Sequence, residues 1–423
     1  MNKPQPINAV DIIRCSFQHL NPRLTSHGER VAYILMKMLE ETRRYTSQEK
    51  HDIFMLGLLH DIGAYKDSEI DSMLSFDSDE SMEHAVFGYL LFKDFSPLSQ
   101  YSDVILYHHH GNAQYYCVPI SSYHRDIAKL IYLADRIDVF CVQNPDGDLW
   151  SFLEQYSDRK FYPSDIRWFW SSQEKYQILE HIKSMEFQKE VTDYIKEHSH
   201  LMGEQTRKYL MTLIFSIDFR SEYTALHTDY AIHLGKNIAH ALQLPTHSNE
   251  LIAAAALLHN AGKVALTKTL ANEEDYNHYL QILHNDSTLD VTRQILSGNV
   301  DQQVLNLIEE SALLLKCWKD NQTVTFSPTP AAEVVALSCL MSDCLSVEMN
   351  VSYCHHPRLR ALLKEKYQNS GMNDRILKTV EKSFDDIIEK TQKSCSAIFD
   401  TYQQMMEEYR SLNIILQHYN NKY

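Results

Sequence analysis

Apolar residues recur along this chain at intervals of three and four, the period of a helix that buries one face. Val31, Ile34, Leu35 and Met38 fall on one side of residues 31–39, and Ile127, Leu130, Ile131, Ala134 and Ile137 on one side of 127–137. Gly and Pro number only 11 each in 423 residues, too few for the many turns of a sandwich or barrel. The pattern therefore predicts an all-α fold of helices joined by short loops. Gly63 and Gly262 stand where left-handed helix C-caps are expected.

The pattern also repeats. HGERVAYILMKMLE…IFMLGLLHDIG in residues 27–63 runs parallel to HTDYAIHLGKNIAHAL…LIAAAALLHNAG in 227–262. His27, His60, His84 and Asp135 correspond to His227, His259, His284 and Asp343, at offsets of 200, 199, 200 and 208. A register held over more than a hundred residues implies duplication of a helical unit. The expected division is a first bundle in 1–145, a helical connector in 146–205, a second bundle in 206–375 and a helical tail in 376–423. The connector carries Trp150, Trp168 and Trp170 and is expected to pack between the bundles. The polar, amphipathic tail reads as a C-terminal helix pair or a dimerisation element, so a homodimer through the second bundle or the tail is a candidate assembly.

Length supports two cores rather than one. A formal charge of −16 opposes binding to polymeric DNA or RNA, while a small nucleotide stays open because a metal ion supplies its own local charge. Eight Cys without a C-x-x-C pair read as reduced thiols. The longest apolar run, Leu251 to Leu258, is too short to span a bilayer, and the start shows no signal-like core, so a cytoplasmic location away from membranes is expected.

Chemistry concentrates in the first repeat, at His27, His60–Asp61, His84, His108–His109 and Asp135. The separations of 33, 24, 24 and 27 residues are each about one helix-turn-helix unit. Such residues meet only if successive helices aim their ends at one cavity, as in bundle-core metal sites. Imidazole and carboxylate suit borderline divalent metals. Asp61 has two oxygens with which to bridge a metal pair, and paired metals can generate hydroxide near neutral pH and take up charge on a phosphoryl group.

In this order and context the residues resemble the HD superfamily of metal-dependent phosphohydrolases, specifically the HD-GYP branch that hydrolyses cyclic dinucleotides. The layout is similar to tandem proteins with HDIGA in the first copy, and the likeness covers roughly 20–145 and 210–350. It implies two HD-domain helical bundles in tandem. It also implies His27, His60, Asp61 and Asp135 on one metal and His84, His108 and His109 on the second, with Asp61 bridging. Two divalent ions follow, iron or manganese first, with zinc, magnesium or nickel as alternatives. Arg23 stands where some relatives place a third-metal Glu.

The family's HDxGK Lys is replaced by Ala64, with Lys66 two residues on as its candidate substitute at the catalytic site beside Asp61. In place of the GxGYP loop stands GNAQYYCVPISSY, whose Tyr115 and Tyr116 are candidates for stacking on a base. In the second copy Asn260 replaces the bridging Asp, and Glu309–Glu310 fall where the His pair is expected. Lys263 keeps the GK. A binuclear catalyst is excluded there, a mononuclear site is left open, and a regulatory, scaffolding or dimerising role is expected. The reading is a two-metal phosphodiesterase or phosphohydrolase acting on a nucleotide, with a cyclic dinucleotide as the candidate partner. A catalytically inactive sensor or adaptor with a structural metal is the alternative, and a mononuclear hydrolase using His27, His60, Asp61 and Asp135 alone is a third.

Overall fold

In the computed structural model, residues 7–64, 83–198 except 113, 203–219, 224–265, 286–347 except 321 and 323, 356–369 and 373–420 are described. Lys66 and His284 lie outside these residues, as does the side chain of Tyr116. Among the described residues every extended element is helical and no strand occurs beyond one isolated bridge, so the all-α expectation holds. No described helix is long and apolar enough to cross a membrane.

The helices are α1 Ala9–Leu20, α2 Pro22–Leu39, α3 Ser47–Leu59, α4 Glu83–Phe95, α5 Ser102–Tyr107, α6 Ser122–Gln143, α7 Leu149–Gln155, α8 Pro163–Tyr176, α9 Ile178–Ser184, α10 Phe187–His198 and α11 Glu204–Asp218. They continue as α12 His227–Ala241, α13 Thr246–Leu258, α14 Asp286–Leu296, α15 Gln302–Lys319, α16 Pro330–Val347, α17 Pro357–Asn369, α18 Asp374–Lys382 and α19 Phe384–Asn420.

The chain groups into two compact units that are not contiguous in sequence. One comprises Leu20–Thr212 with Met405–Tyr423, and the other Met1–His19 with Leu213–Gln404. Segment 146–205 thus groups with the first unit. There Tyr33 of α2 bonds Nδ1 of His181 at 2.8 Å, Lys37 pairs with Glu190 at 2.6 Å, and the buried Phe187 ring lies 5.9 Å from that of Tyr33.

Local chemistry starts the helices that matter. Asn21 caps α2, accepting from the Arg23 amide, and Pro22 supplies a first helical residue that needs no amide partner. Thr46 and Glu49 close a reciprocal capping box on α3. Ser121 caps α6 by accepting from the amide of His124. Between these ends the expected faces are interior: Val31, Ile34, Leu35, Ile127, Ile131, Ala134 and Ile137 are fully buried, and Met38 and Leu130 nearly so. Each large aliphatic side chain so buried contributes about 1.5–3 kcal/mol.

Gly63 and Gly262 depart from expectation. Among the described glycines only Gly203 and Gly298 have positive φ, so neither is a left-handed cap. What Gly63 provides is space: a Cβ there would stand 2.1 Å from the His84 carbonyl oxygen and 2.6 Å from the Gly88 amide nitrogen. The turn after α3 therefore lies directly against the backbone of α4, which brings His84 to the end of α3. Gly262 does the same in the second unit, 2.3 Å from the Thr288 carbonyl oxygen.

Candidate metal centre

Five helices of the first unit deliver the predicted residues to one place. His27 comes from α2, His60 and Asp61 from the C-terminal end of α3, His84 from the start of α4, His108 and His109 from the end of α5, and Asp135 from α6. All are buried except His109, whose side chain is 16% exposed and gives the cluster its open side.

Asp61 stands between two groups of imidazoles. Its Oδ2 lies 3.2 Å from Nε2 of His60 and 3.7 Å from Nε2 of His27. Its Oδ1 lies 3.6 Å from Nε2 of both His84 and His108. Asp135 also faces both groups, with Oδ1 3.3 Å from Nε2 of His27 and Oδ2 3.5 Å from Nδ1 of His109. The donor atoms of His27, His60 and Asp61, and separately those of Asp61, His84, His108 and His109, are mutually close enough to hold an ion. Nε2 of His60, Nε2 of His108 and Oδ1 of Asp61 are buried without a hydrogen-bond partner among the described residues. Such orphaned donor atoms are costly unless something else satisfies them, and divalent cations fit.

The protonation states suit cations too. Burial alone would push Asp61 and Asp135 up. The imidazoles around Asp61, and the guanidinium of Arg136 with His27 beside Asp135, outweigh it and hold both carboxyls well below the usual range. Burial, reinforced by neighbouring imidazoles, lowers His84 to about 4 and drives His109 well down, so both present neutral lone pairs. His27 differs: burial opposes its charge, but Asp135 and Asp138 prevail and raise it to about 10. Without a cation the pocket draws a proton there.

Five groups that orient the site escaped the sequence reading: Asp138, Arg30, Arg136 and the carbonyls of Gly57 and Ile105. Asp138, one turn after Asp135, accepts from Nδ1 of His27 at 2.7 Å and is itself gripped by Arg30. Nδ1 of His60 donates to the Gly57 carbonyl at 2.8 Å, and Nδ1 of His108 to that of Ile105 at 2.6 Å. In each case the proton is placed on Nδ1 and Nε2 is left to coordinate. Arg136 bonds both oxygens of Asp135 at 3.0 Å and offsets one of the two buried negative charges. A short spacing was the only available signal: Asp138 is three residues from Asp135, and Arg30 three from His27.

Tyr115 does not serve as expected. Its ring is 3% exposed, and its hydroxyl donates to the Tyr107 carbonyl at 2.9 Å. It fixes the loop after α5 and offers no open face to a base.

The second unit repeats the ring at the end of the helix but not the cluster. His259 C-caps α13 as His60 does α3, and its Nδ1 donates to the Ala256 carbonyl at 2.7 Å. Here, however, the Asn260 amide donates to Nε2 of His227 at 2.7 Å, while Asp343 faces the other nitrogen, Nδ1, at 3.2 Å. Lys263, 1% exposed, places its ammonium 3.5 Å from Asp218, within electrostatic reach of Asp343 and His227. Glu309 pairs with Arg293, and Glu310 accepts from the amide and hydroxyl of Thr329 ahead of α16.

Residues 24–140 match the HD domain family. All seven candidate ligands lie inside this matched segment. Over 297 residues, 64% of this chain and 67% of the relative, the chain is 23% identical to the 3'3'-cGAMP-specific phosphodiesterase 1 of Vibrio cholerae. A crystal structure of a cyclic GMP-AMP specific phosphodiesterase in V. cholerae aligns over 90% of this chain and 98% of that chain, at 15% identity and a TM-score of 0.48.

Proposed function

We propose that the HD domain is a metal-dependent phosphodiesterase that opens a cyclic dinucleotide, with a GMP-AMP ring as the first substrate to test. The observation that carries the reading is the position of Asp61, one oxygen toward His27 and His60 and the other toward His84 and His108. The V. cholerae relative, named for 3'3'-cGAMP hydrolysis, supplies the substrate class.

Asp61 is proposed to bridge two divalent ions, iron or manganese first. His27, His60 and Asp135 would complete one site and His84, His108 and His109 the other. When bound, the ions supply a hydroxide nucleophile at neutral pH and charge compensation at the phosphoryl oxygens. The chain itself fixes Nε2 lone pairs by bonding Nδ1 of His27, His60 and His108, keeps both carboxylates ionised, and opens the cluster to solvent at His109. Lys66 remains the proposed phosphate contact and Tyr116 the proposed stacking residue.

The test is bound metal and turnover of 3'3'-cGAMP and cyclic di-GMP by wild type and Asp61→Ala. Two Asp61-dependent metals per chain, a linear dinucleotide product, and loss of those metals and of turnover in the variant are expected. A metal-loaded protein that turns over no cyclic dinucleotide would leave the sensor reading standing. A single Asp61-dependent metal per chain would overturn the bridging role.

A further inference from the structure

Helix α12 of the second unit bears ligand-type residues that the HD site does not use. Asp229 and His233 are one turn apart on α12, and Cys395 faces them from α19. One ligand atom from each lies within 4.8 Å of the other two, and Nε2 of His233 is 3.7 Å from Oδ1 of Asp229. One turn along both helices, Asn237 donates to Thr391 at 2.9 Å, which fixes the two helices in register beside the cluster. Asp229 and Cys395 are buried, at 4% and 1% exposure, while the His233 side chain is 27% exposed.

We infer that Asp229, His233 and Cys395 form a mononuclear zinc site that ties α19 to α12. Thiolate, imidazole and carboxylate together are a zinc donor set, and ligand atoms in a tetrahedral site stand about 3.3–3.6 Å apart, a small rotamer adjustment from the observed separations. His233 is the partly exposed ligand, and a water would complete the fourth position. Binding forms a zinc–sulfur bond as the Cys395 S–H bond breaks, with the proton leaving to water and no change of oxidation state. A nucleophilic role for Cys395 is opposed by its surroundings, because burial and the adjacent Asp229 carboxylate both disfavour a thiolate in the absence of a cation. The corresponding positions of the first repeat are Glu29 and Tyr33, so the site belongs to the second unit alone.

Cobalt separates this site from the HD centre, whose candidate ligands include no sulfur. Full-length protein loaded with Co²⁺ should show a near-ultraviolet sulfur-to-cobalt charge-transfer band. Cys395→Ser should abolish the band and lower bound metal by one equivalent per chain, with phosphodiester turnover unchanged. His233→Ala, a change at a half-exposed position, should shift the band or lose it, and serves if the serine variant does not fold. A cobalt-loaded wild type without the band, or a band that survives in folded Cys395→Ser, overturns the site. Neither result bears on turnover at Asp61.

Discussion

Asp138 accepts the Nδ1 proton of His27 at 2.7 Å, and so decides which nitrogen of that ring faces Asp61 and Asp135. A carboxylate can only accept, so the proton must lie on Nδ1. Asp138→Asn weakens this constraint, because an amide can also donate and allow the other tautomer. Metal affinity, read by competition with a chelator, should fall about 10–100-fold with the helical content unchanged. Unaltered affinity would show that His27 is oriented by packing alone.

Gly63 makes a different kind of demand. A Cβ at this position meets the backbone of α4, at His84 and Gly88, and a backbone cannot rotate away as a flexible side chain would. Gly63→Ala should therefore push the start of α4 from the end of α3. The expected cost is about 1–3 kcal/mol of stability or more, together with loss of the ion held by His84, His108 and His109. Thermal denaturation and metal analysis check the two effects, and a variant of normal stability that keeps full metal would refute the packing argument.

The convergence of His27, His60, Asp61, His84, His108, His109 and Asp135 was legible because helix-length spacing carries it: successive helices each supply a part, His60, Asp61, His84, His108 and His109 from helix ends and His27 and Asp135 from within α2 and α6. The reason for Gly63 was not legible. A glycine after a helix signals a left-handed cap in sequence, whereas here the requirement is an interhelical approach set by α4, distant in the chain. Tyr115 misled for a related reason, since a tyrosine in a polar loop gives no sign that its hydroxyl will find the Tyr107 carbonyl. The grouping of 146–205 with the first unit rests on contacts such as Tyr33 with His181, which no periodicity encodes.

His51 should make the first unit acid-sensitive. Burial, helped by His198, lowers its pKa from 6.5 to about 4, and its ring stacks on those of His198 and Tyr194. Between those two values the unfolded chain binds a proton that the folded chain does not, so stability falls as pH drops through that window and is fully present above it. The limiting loss is about 3 kcal/mol. Denaturant midpoints should fall more between pH 7 and pH 5 for wild type than for His51→Gln. Parallel slopes in the two proteins would assign the acid sensitivity elsewhere.

The second unit should hold no ion at its His227 pocket, and the reason is the placement of two side chains. A metal on Nε2 of His227 would have to displace the Asn260 amide, which donates to that nitrogen at 2.7 Å. It would also enter a pocket that already contains the ammonium of Lys263, 3.5 Å from Asp218 and close to Asp343. A fixed internal cation repels a second one, and the neutral Asn260 cannot replace the charge that Asp61 brings to the first unit. His259→Ala should accordingly leave the metal content of the chain unchanged, whereas His60→Ala should lower it. Lys263→Met should destabilise the second unit by about 3–5 kcal/mol, because it strips the cation from Asp218, which is 1% exposed. A loss of metal on His259→Ala would mean that an ion displaces Asn260 after all, and the two units would then share their chemistry.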